Sequence, residues 1–435
     1  MSERVQQLKQ QILQAINFED YEYLSGSKEI REKQKELFLT GEVEYPTLNY
    51  PKINVVDLER KLVQIQSLSE EVDAILENSD RQSAKAVLGE KMLAVRMLIA
   101  AGQGDTKLFA EYAVEIYGSY SQEAYTIDLQ ELSYVLCQAE RKGLAEKEIA
   151  FLRQNILDIP ENKNCTPLMP RPHQDTFHNM QKFIVEYKKD LLQNMSIAER
   201  EYQCDEIKEL MQQALKNVDA RDWSVEIVTD GRASISTDQE SKKILIPEKR
   251  SMQGSYLEKI ILHEIGCHVV RRTRGQQHDN FLMGIGLDRY MVADEGLAMV
   301  FEQSLEDSFT AYASFDKHLA MSLAMGADGK KRAFKETYEI YCALGILEAC
   351  LANSRNLNRE EIEEQKGGAY NACVRIFRGT DCKTPGAVYP KDLAYREGNV
   401  AVWDFIEQNP DYDLNNLLIG KYDPTRPDHR QIALG

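Results

Sequence analysis

One apolar helical stretch that turns abruptly polar constrains the fold of this chain more than any other feature. Residues 256–262 carry apolar side chains at helical spacing, and His263 and Glu264 follow them directly, with His268 five residues after His263. Polar groups in a core-facing helix cost free energy unless they find partners. A metal ion would satisfy them, because neutral imidazole is a good zinc ligand and an adjacent carboxylate can serve as a general base.

The spacing of the two histidines demands a local distortion. In a regular α-helix, positions five residues apart point about 140° away from each other, which is a poor arrangement for binding one ion. A π-bulge absorbs one extra residue, and such bulges are frequent at functional sites. Gly266 lies inside the insertion, where a permissive backbone helps. We therefore predict a distortion of the helix near Gly266.

Two other interpretations of this segment stay open. Cys267 stands four residues after His263 and is also a possible zinc ligand, although His268 would then have no role. Alternatively, the helix binds no metal and its histidines have partners within the core.

A catalytic zinc site needs a third protein ligand and one open position. Glu295 is the candidate, because it lies on the next predicted helix after a linker with three glycines, and an antiparallel return would bring it to the histidines. Asp294 is the local alternative.

Together these residues resemble a known family. The segment His-Glu-Ile-Gly-Cys-His (263–268) and the later Asp-Glu-Gly-Leu-Ala (294–298) are similar to the HExxxH and QEGLA motifs of the microtubule-associated tyrosine carboxypeptidases. Bacterial relatives of that family have been called flavohemoglobin expression-modulating QEGLA-motif proteins. Weaker similarity extends to the Tyr/Pro-rich stretch 45–51, to Phe109 and the Tyr-Gly pair at 117–118, and to the region 373–398.

This chain departs from the family pattern at two positions. Asp294 stands where the motif has Gln, which leaves the glutamate in place but changes its neighbour. Cys267 replaces a small hydroxyl residue, which keeps the cysteine-ligand alternative open.

The resemblance implies a zinc carboxypeptidase with one Zn²⁺ per chain, acting on the C-terminus of a peptide or protein. His263, His268 and Glu295 would be the metal ligands, and Glu264 the catalytic base.

A carboxypeptidase must recognise the free C-terminal carboxylate of its substrate. Arginine is suited to this, because its planar guanidinium group can bind a carboxylate with two hydrogen bonds. Arg271 and Arg272 are candidates, but basic residues embedded in the apolar C-terminal region are harder to explain as a solvated face. The favoured substrate-binding residues are therefore Arg375, Arg378 and Lys391. Two tyrosines of that region, Tyr389 and Tyr395, could donate to an oxyanion or line a side-chain pocket.

Two functions other than a carboxypeptidase are also compatible with these candidate metal-binding residues. An endopeptidase or a small-molecule amidohydrolase would use identical metal chemistry in a more open cleft. A regulatory or scaffold protein would keep only a structural or vestigial metal site, and the intact Glu264 argues against it because a structural site needs no base.

The pattern along the chain predicts a mostly helical α+β protein. Helical spacing covers 1–18, 54–78, 82–101, 106–117, 173–218 and 290–351, and a proline-rich break falls at 159–172. Short strands are predicted at 223–228, 233–236 and 243–247, and the second could be an open edge that holds an extended peptide. Residues 373–377 and 386–389 are predicted to be short strands or turns. We expect a helical N-terminal region, 1–195, and a zincin-like catalytic domain, 196–435, with one compact unit as the alternative.

Composition narrows the class of partner. The formal net charge of −17 argues against a nucleic-acid or anionic-membrane partner, since both reward a positive surface. The N-terminus lacks an apolar signal core and no segment has the length of a membrane span, so a cytoplasmic location is expected. The eight scattered cysteines form no C-x-x-C pair and predict no disulfide framework.

Overall fold

A computed structural model describes residues 3–229 and 234–435, without the side chains of residues 78 and 79. The chain is mostly helical with two small sheets, which confirms the α+β class. Its first part contains nine helices among the described residues: α1 (Glu3–Ile16), α2 (Asp20–Tyr23), α3 (Lys28–Leu39), α4 (Val55–Ile75), α5 (Asn78–Gln103), α6 (Thr106–Tyr117), α7 (Gln122–Lys142), α8 (Glu146–Asn155) and α9 (Gln174–Leu191).

The second part contains the sheets and the remaining helices. In chain order its elements are β1 (Glu201–Gln203), α10 (Cys204–Asn217), β2 (Ser224–Val228), β3 (Ser236–Asp238), β4 (Lys243–Pro247), β5 (Ser251–Gln253), α11 (Gly254–Ile261), a π-helix (Leu262–Val269), α12 (Val270–Gly275), α13 (Met291–Gln303), α14 (Phe315–Met325), α15 (Phe334–Asn353), α16 (Arg359–Phe377), α17 (Leu393–Gln408) and α18 (Pro427–Leu434). Short 3₁₀ helices occur at Pro390–Asp392 and Leu414–Leu418.

Local sequence explains where several helices begin and end. The side chain of Asn54 caps α4 by accepting hydrogen bonds from the backbone N–H groups of the first turn, and Asp105 caps α6 in the same way. Gly104 ends α5 in the left-handed conformation, at a φ of 74°. Each of these signals is local to one helix end, which is why α4, α5 and α6 fall close to their predicted bounds.

The three-stranded sheet has the order β2-β4-β3, with β2 parallel and β3 antiparallel to β4. The predicted strands at 223–228 and 243–247 are confirmed. Pro247 ends the central strand, where a missing N–H group is tolerated. The predicted strand at 233–236 begins outside the described residues, and the observed edge strand is β3. The β1–β5 ribbon leads directly into α11.

Three other predictions of secondary structure need correction. The prediction of strands or turns at 373–377 is wrong, because these residues form the last part of α16, whose apolar side chains face a core. The predicted helical segment 173–218 is divided by a loop and β1 into α9 and α10. The segment 290–351 likewise contains three separate helices.

Apolar side chains from both sides of the predicted boundary at 195/196 share cores. One core packs the N-terminal helices against Leu282, Met283 and Leu287 of the linker before α13. Another packs Met169 and Phe177 against the helices that follow the sheet. The cleft described below lies between these two groups of helices. Among the residues that the structure describes, no helix combines the length and apolar character needed to cross a bilayer.

Candidate metal centre

The helix that carries both histidines is π-helical from Leu262 to Val269, which confirms the distortion predicted near Gly266. A π-helix pairs residues five apart, so His263 and His268 lie on the same face of the helix. Their Nε2 atoms are 3.2 Å apart, and both side chains are buried. The five-residue spacing would separate the two histidines on an α-helix, but on this π-helix it brings their side chains together.

Packing around Gly266 supports the π-helix. The hydroxyl of Tyr187, on α9, donates a 2.6 Å hydrogen bond to the carbonyl oxygen of Gly266. This bond satisfies a buried backbone acceptor inside the irregular segment. A Cβ atom at position 266 would lie 3.0 Å from side-chain atoms of both Leu191 and Leu262, so the segment is also closely packed.

Glu295 reaches the histidines from α13. One of its carboxylate oxygens, Oε2, lies 3.9 Å from Nε2 of His263 and 3.7 Å from Nε2 of His268. Gly296 and Gly398 position this helix, because a Cβ atom on either would lie about 2 Å from backbone atoms of the other helix. Close contact between α13 and α17 therefore requires glycine at both positions, and it fixes Glu295 one residue away.

The three donor atoms fit a tetrahedral metal ion. Two zinc–ligand bonds of about 2.0–2.1 Å that meet at the tetrahedral angle hold their ligand atoms about 3.4 Å apart. The observed separations of 3.2, 3.7 and 3.9 Å surround that value. Two imidazole nitrogens and one carboxylate oxygen are also a donor set typical of catalytic zinc.

Carboxylates behind the histidines orient both rings. Nδ1 of His263 lies 2.6 Å from Glu302, and Nδ1 of His268 lies 2.8 Å from Asp294, so each ring turns its Nε2 atom towards Glu295. Burial alone would lower the pKa of His263, but its hydrogen bond to Glu302 and the surrounding carboxylates raise it to about 9. The carboxylates around this ring therefore favour a positive charge in the site, which a bound metal ion would also supply.

A second group of possible ligand atoms comprises Cys267, His268 and Asp294, all within 4.8 Å of one another. Asp294 is already engaged, because its carboxylate pairs with the buried side chains of Arg271 and Lys421. Burial, together with the charge of Asp294, raises the pKa of the Cys267 thiol well above its usual value, which opposes the thiolate that zinc requires. These contacts favour the group His263, His268 and Glu295.

Glu264 lies beside the donor group and is buried. Its Oε2 atom accepts a 2.5 Å hydrogen bond from the hydroxyl of Thr237, in the edge strand β3. The sheet therefore holds the carboxylate in one orientation next to the histidines.

A cleft of about 630 Å³ contains this centre and extends to the N-terminal helices. It is lined by all five residues that the sequence suggests for substrate binding: Arg375, Arg378, Tyr389, Lys391 and Tyr395. The structure does not bring Arg271 or Arg272 into this lining. Arg271 instead donates a hydrogen bond to the carboxylate of Asp294. Arg272 donates a 3.3 Å hydrogen bond to the side chain of Asn17, on another side of the helix.

The aromatic residues of the cleft have distinct surroundings. The hydroxyl of Tyr389 donates to Asp20 at 3.1 Å and lies 3.2 Å from the hydroxyl of Tyr117. Tyr395 also lines the cleft, where the charge of Glu295, followed by burial, raises the pKa of the Tyr395 hydroxyl well above its usual value. The Tyr395 hydroxyl therefore stays protonated and is able to donate a hydrogen bond.

Comparison with known proteins agrees with this geometry. Residues 169–341 match the model of the family described as microtubule-associated tyrosine carboxypeptidase. This segment, which is less than half of the chain, is therefore similar to the microtubule-associated tyrosine carboxypeptidases. No individual curated protein matches the chain.

The segment that matches the tyrosine carboxypeptidase family contains the histidines, Glu264 and Glu295, but only part of the cleft. The basic and aromatic residues after position 341 lie outside the match, as do the cleft residues of α2, α3, α5 and α6. Sequence reasoning missed Asp20 and Thr237, which no local pattern distinguishes. It also missed Glu302, which helical spacing could have indicated, because it follows Glu295 by seven residues, or two turns.

Proposed function

We propose that this chain is a zinc-dependent carboxypeptidase that binds one zinc ion and removes C-terminal residues from peptides or proteins. The observation that carries the proposal is the position of Glu264, an oriented carboxylate beside three matched metal donors in a cleft that contains cationic side chains. The name of the matched family describes the same activity.

A zincin-like arrangement is part of the proposal. One helix carries His263, Glu264 and His268, a second helix returns with Glu295, and a small sheet covers the site with its edge strand. We assign the catalytic domain to residues 196–435. The region 1–195 supplies the facing wall of the cleft through α2, α3, α5 and α6.

Each polar residue at the centre then has one role. His263, His268 and Glu295 would hold the zinc ion, which when bound would supply Lewis-acid chemistry to a water molecule and to the scissile carbonyl. Glu264 takes a proton from the attacking water molecule and passes it to the leaving amine. Tyr395, which stays protonated, donates to the negative charge that develops on the carbonyl oxygen.

The edge strand β3 provides a surface for an extended peptide. It pairs with β4 on one side, and residues 234–237 line the cleft. A peptide that adds to an open sheet edge gains main-chain hydrogen bonds that depend little on its sequence. This arrangement would bring a scissile bond next to Thr237 and Glu264.

Peptide cleavage by the zinc-loaded protein tests the proposal. Mass spectrometry of a mixed peptide pool should show the loss of single C-terminal residues. Glu264→Gln should keep the metal and lose at least about 100-fold in rate, because general base catalysis contributes about 10²–10⁴-fold. His263→Ala should lose both metal and activity. His178→Ala, on an exposed histidine of α9, is the matched control and should change neither.

Three results would count against the proposal. Cleavage inside peptides would favour an endopeptidase. Full activity of the Glu264→Gln variant would remove the proposed base. A chain that holds zinc but cleaves no peptide of the pool would favour a structural metal site.

A further inference from the structure

The C-terminal region contributes three of the cations that line the cleft and could meet a peptide carboxylate, and the contacts of these three separate them. Arg375 already binds an internal carboxylate, because its Nη2 atom lies 2.9 Å from both oxygens of Asp392. The ammonium of Lys391 lies 3.9 Å from the ring centroid of Tyr21, where a cation–π interaction holds it. Both groups therefore have partners within the protein.

Arg378 differs from these two residues. Its Nε atom is enclosed and has no hydrogen-bond partner, and its guanidinium forms no ion pair with any residue of the described chain. The ring centroid of Tyr389 lies 6.0 Å from its guanidinium carbon. An enclosed donor on a charged group without a partner is costly, and in native structures it indicates a ligand or an ordered water molecule.

The backbone holds Arg378 firmly in place. It follows the last residue of α16, and Gly379 next to it has a φ of 80°, which glycine adopts without strain. A Cβ atom at position 379 would lie 2.2 Å from the ring of Phe109, and the Gly379 N–H group donates a 2.6 Å hydrogen bond to the hydroxyl of Tyr50. A group presented from such a turn loses little freedom when it binds a ligand.

A chain of contacts relates Arg378 to the metal centre. Tyr395 lies close enough to Glu295 and Arg375 to feel the charge of both, and Arg375 binds Asp392. The carboxylate of Asp392 is thus taken by Arg375, although Arg378 lies close enough to feel its charge. Of these three C-terminal cations, Arg378 is the one whose guanidinium is not held by a carboxylate or by a close aromatic ring.

We propose that Arg378 binds the α-carboxylate of the substrate's C-terminal residue and so makes the enzyme an exopeptidase. The inference rests on the proposed function, since it assigns the carboxylate anchor of the same cleft. The planar guanidinium fork suits a carboxylate, which it can bind with two parallel hydrogen bonds.

Binding measurements test this role without hydrolysis. The probes are two fluorescein-labelled hexapeptide pools, randomised at the last two positions, of which one ends in a free carboxylate and the other in an amide. Fluorescence polarisation is recorded on zinc-loaded Glu264→Gln protein. The free-acid pool should bind more tightly, and adding Arg378→Gln should weaken its binding by about 10- to 100-fold while leaving the amide pool unchanged.

Two further variants control the experiment. Arg359→Gln removes an exposed arginine at the opposite end of α16 and should preserve the preference for the free acid. Arg378→Lys keeps the charge but loses the fork, so its preference should be intermediate. If thermal unfolding shows that the Arg378→Gln protein is misfolded, the lysine variant decides, because an undiminished preference would overturn the proposal.

The proposal would also be overturned if a folded Arg378→Gln protein kept its preference for the free acid. Equal binding of both pools by the protein with Arg378 intact would overturn it as well. Failure of the proposed function gives a different pattern. In that case the preference for the free acid depends on Arg378, yet the zinc-loaded protein with Glu264 intact cleaves neither pool.

Discussion

Removing the charge of Asp294 should destabilise the protein strongly. This carboxylate is buried, and it neutralises Arg271 and Lys421, whose side chains are 0% and 1% exposed. Asparagine preserves the shape of the side chain but leaves two cations in the core without a counter-charge. Breaking a buried ion pair in this way costs about 3–5 kcal/mol, which is a large part of the stability of an ordinary domain.

Urea unfolding of the metal-free protein measures this cost without a contribution from zinc. The matched control is Asp57→Asn, because Asp57 also pairs with an arginine, Arg60 at 3.0 Å, but both side chains are mostly exposed. That variant should lose less than about 1 kcal/mol. If Asp294→Asn costs no more than Asp57→Asn, the buried charges do not depend on Asp294 and the reasoning is refuted.

Three further predictions follow from individual contacts. Glu302→Gln should weaken zinc binding by about 10- to 100-fold in a chelator competition, because this carboxylate orients His263, and unchanged affinity would contradict that role. Tyr187→Phe should lower the free energy of unfolding by about 1–3 kcal/mol, because the carbonyl of Gly266 loses its buried donor, whereas substituting an exposed tyrosine should have little effect. Burial raises the pKa of Glu90 to about 7, so the folded state resists its ionisation and loses stability as pH rises from about 4.5 to 7. Glu90→Gln should therefore stabilise the protein by about 1–3 kcal/mol more at pH 8 than at pH 4, and an equal effect at both would contradict the shifted pKa.

The proximity of the candidate metal donors could be predicted from the sequence because the constraints on them are local. Two histidines five residues apart in one helix have only one way to face a common ion, and the structure contains the π-helix that this requires. The glycine that follows Glu295 is explained only in three dimensions, because its reason is the backbone of Gly398, about one hundred residues away.

The errors at the C-terminal end have a similar cause. The segment 373–377 is a short, mostly apolar run that cannot distinguish a strand from a helix end, and packing against α15 decides for the helix. The cleft wall formed by Asp20 and Tyr117 depends on contacts between distant helices, such as the hydrogen bond that joins these two side chains. Periodicity within one segment carries no information about such contacts.

X-ray absorption at the zinc edge of the zinc-loaded protein tests the central claim most directly. The account predicts one zinc ion per chain with two imidazole nitrogens at about 2.0–2.1 Å, oxygen neighbours at about 2.0–2.2 Å, and no sulfur neighbour. A sulfur neighbour at about 2.3 Å would instead identify Cys267 as a ligand. That result, or failure of the protein to retain zinc, would contradict a centre formed by His263, His268 and Glu295.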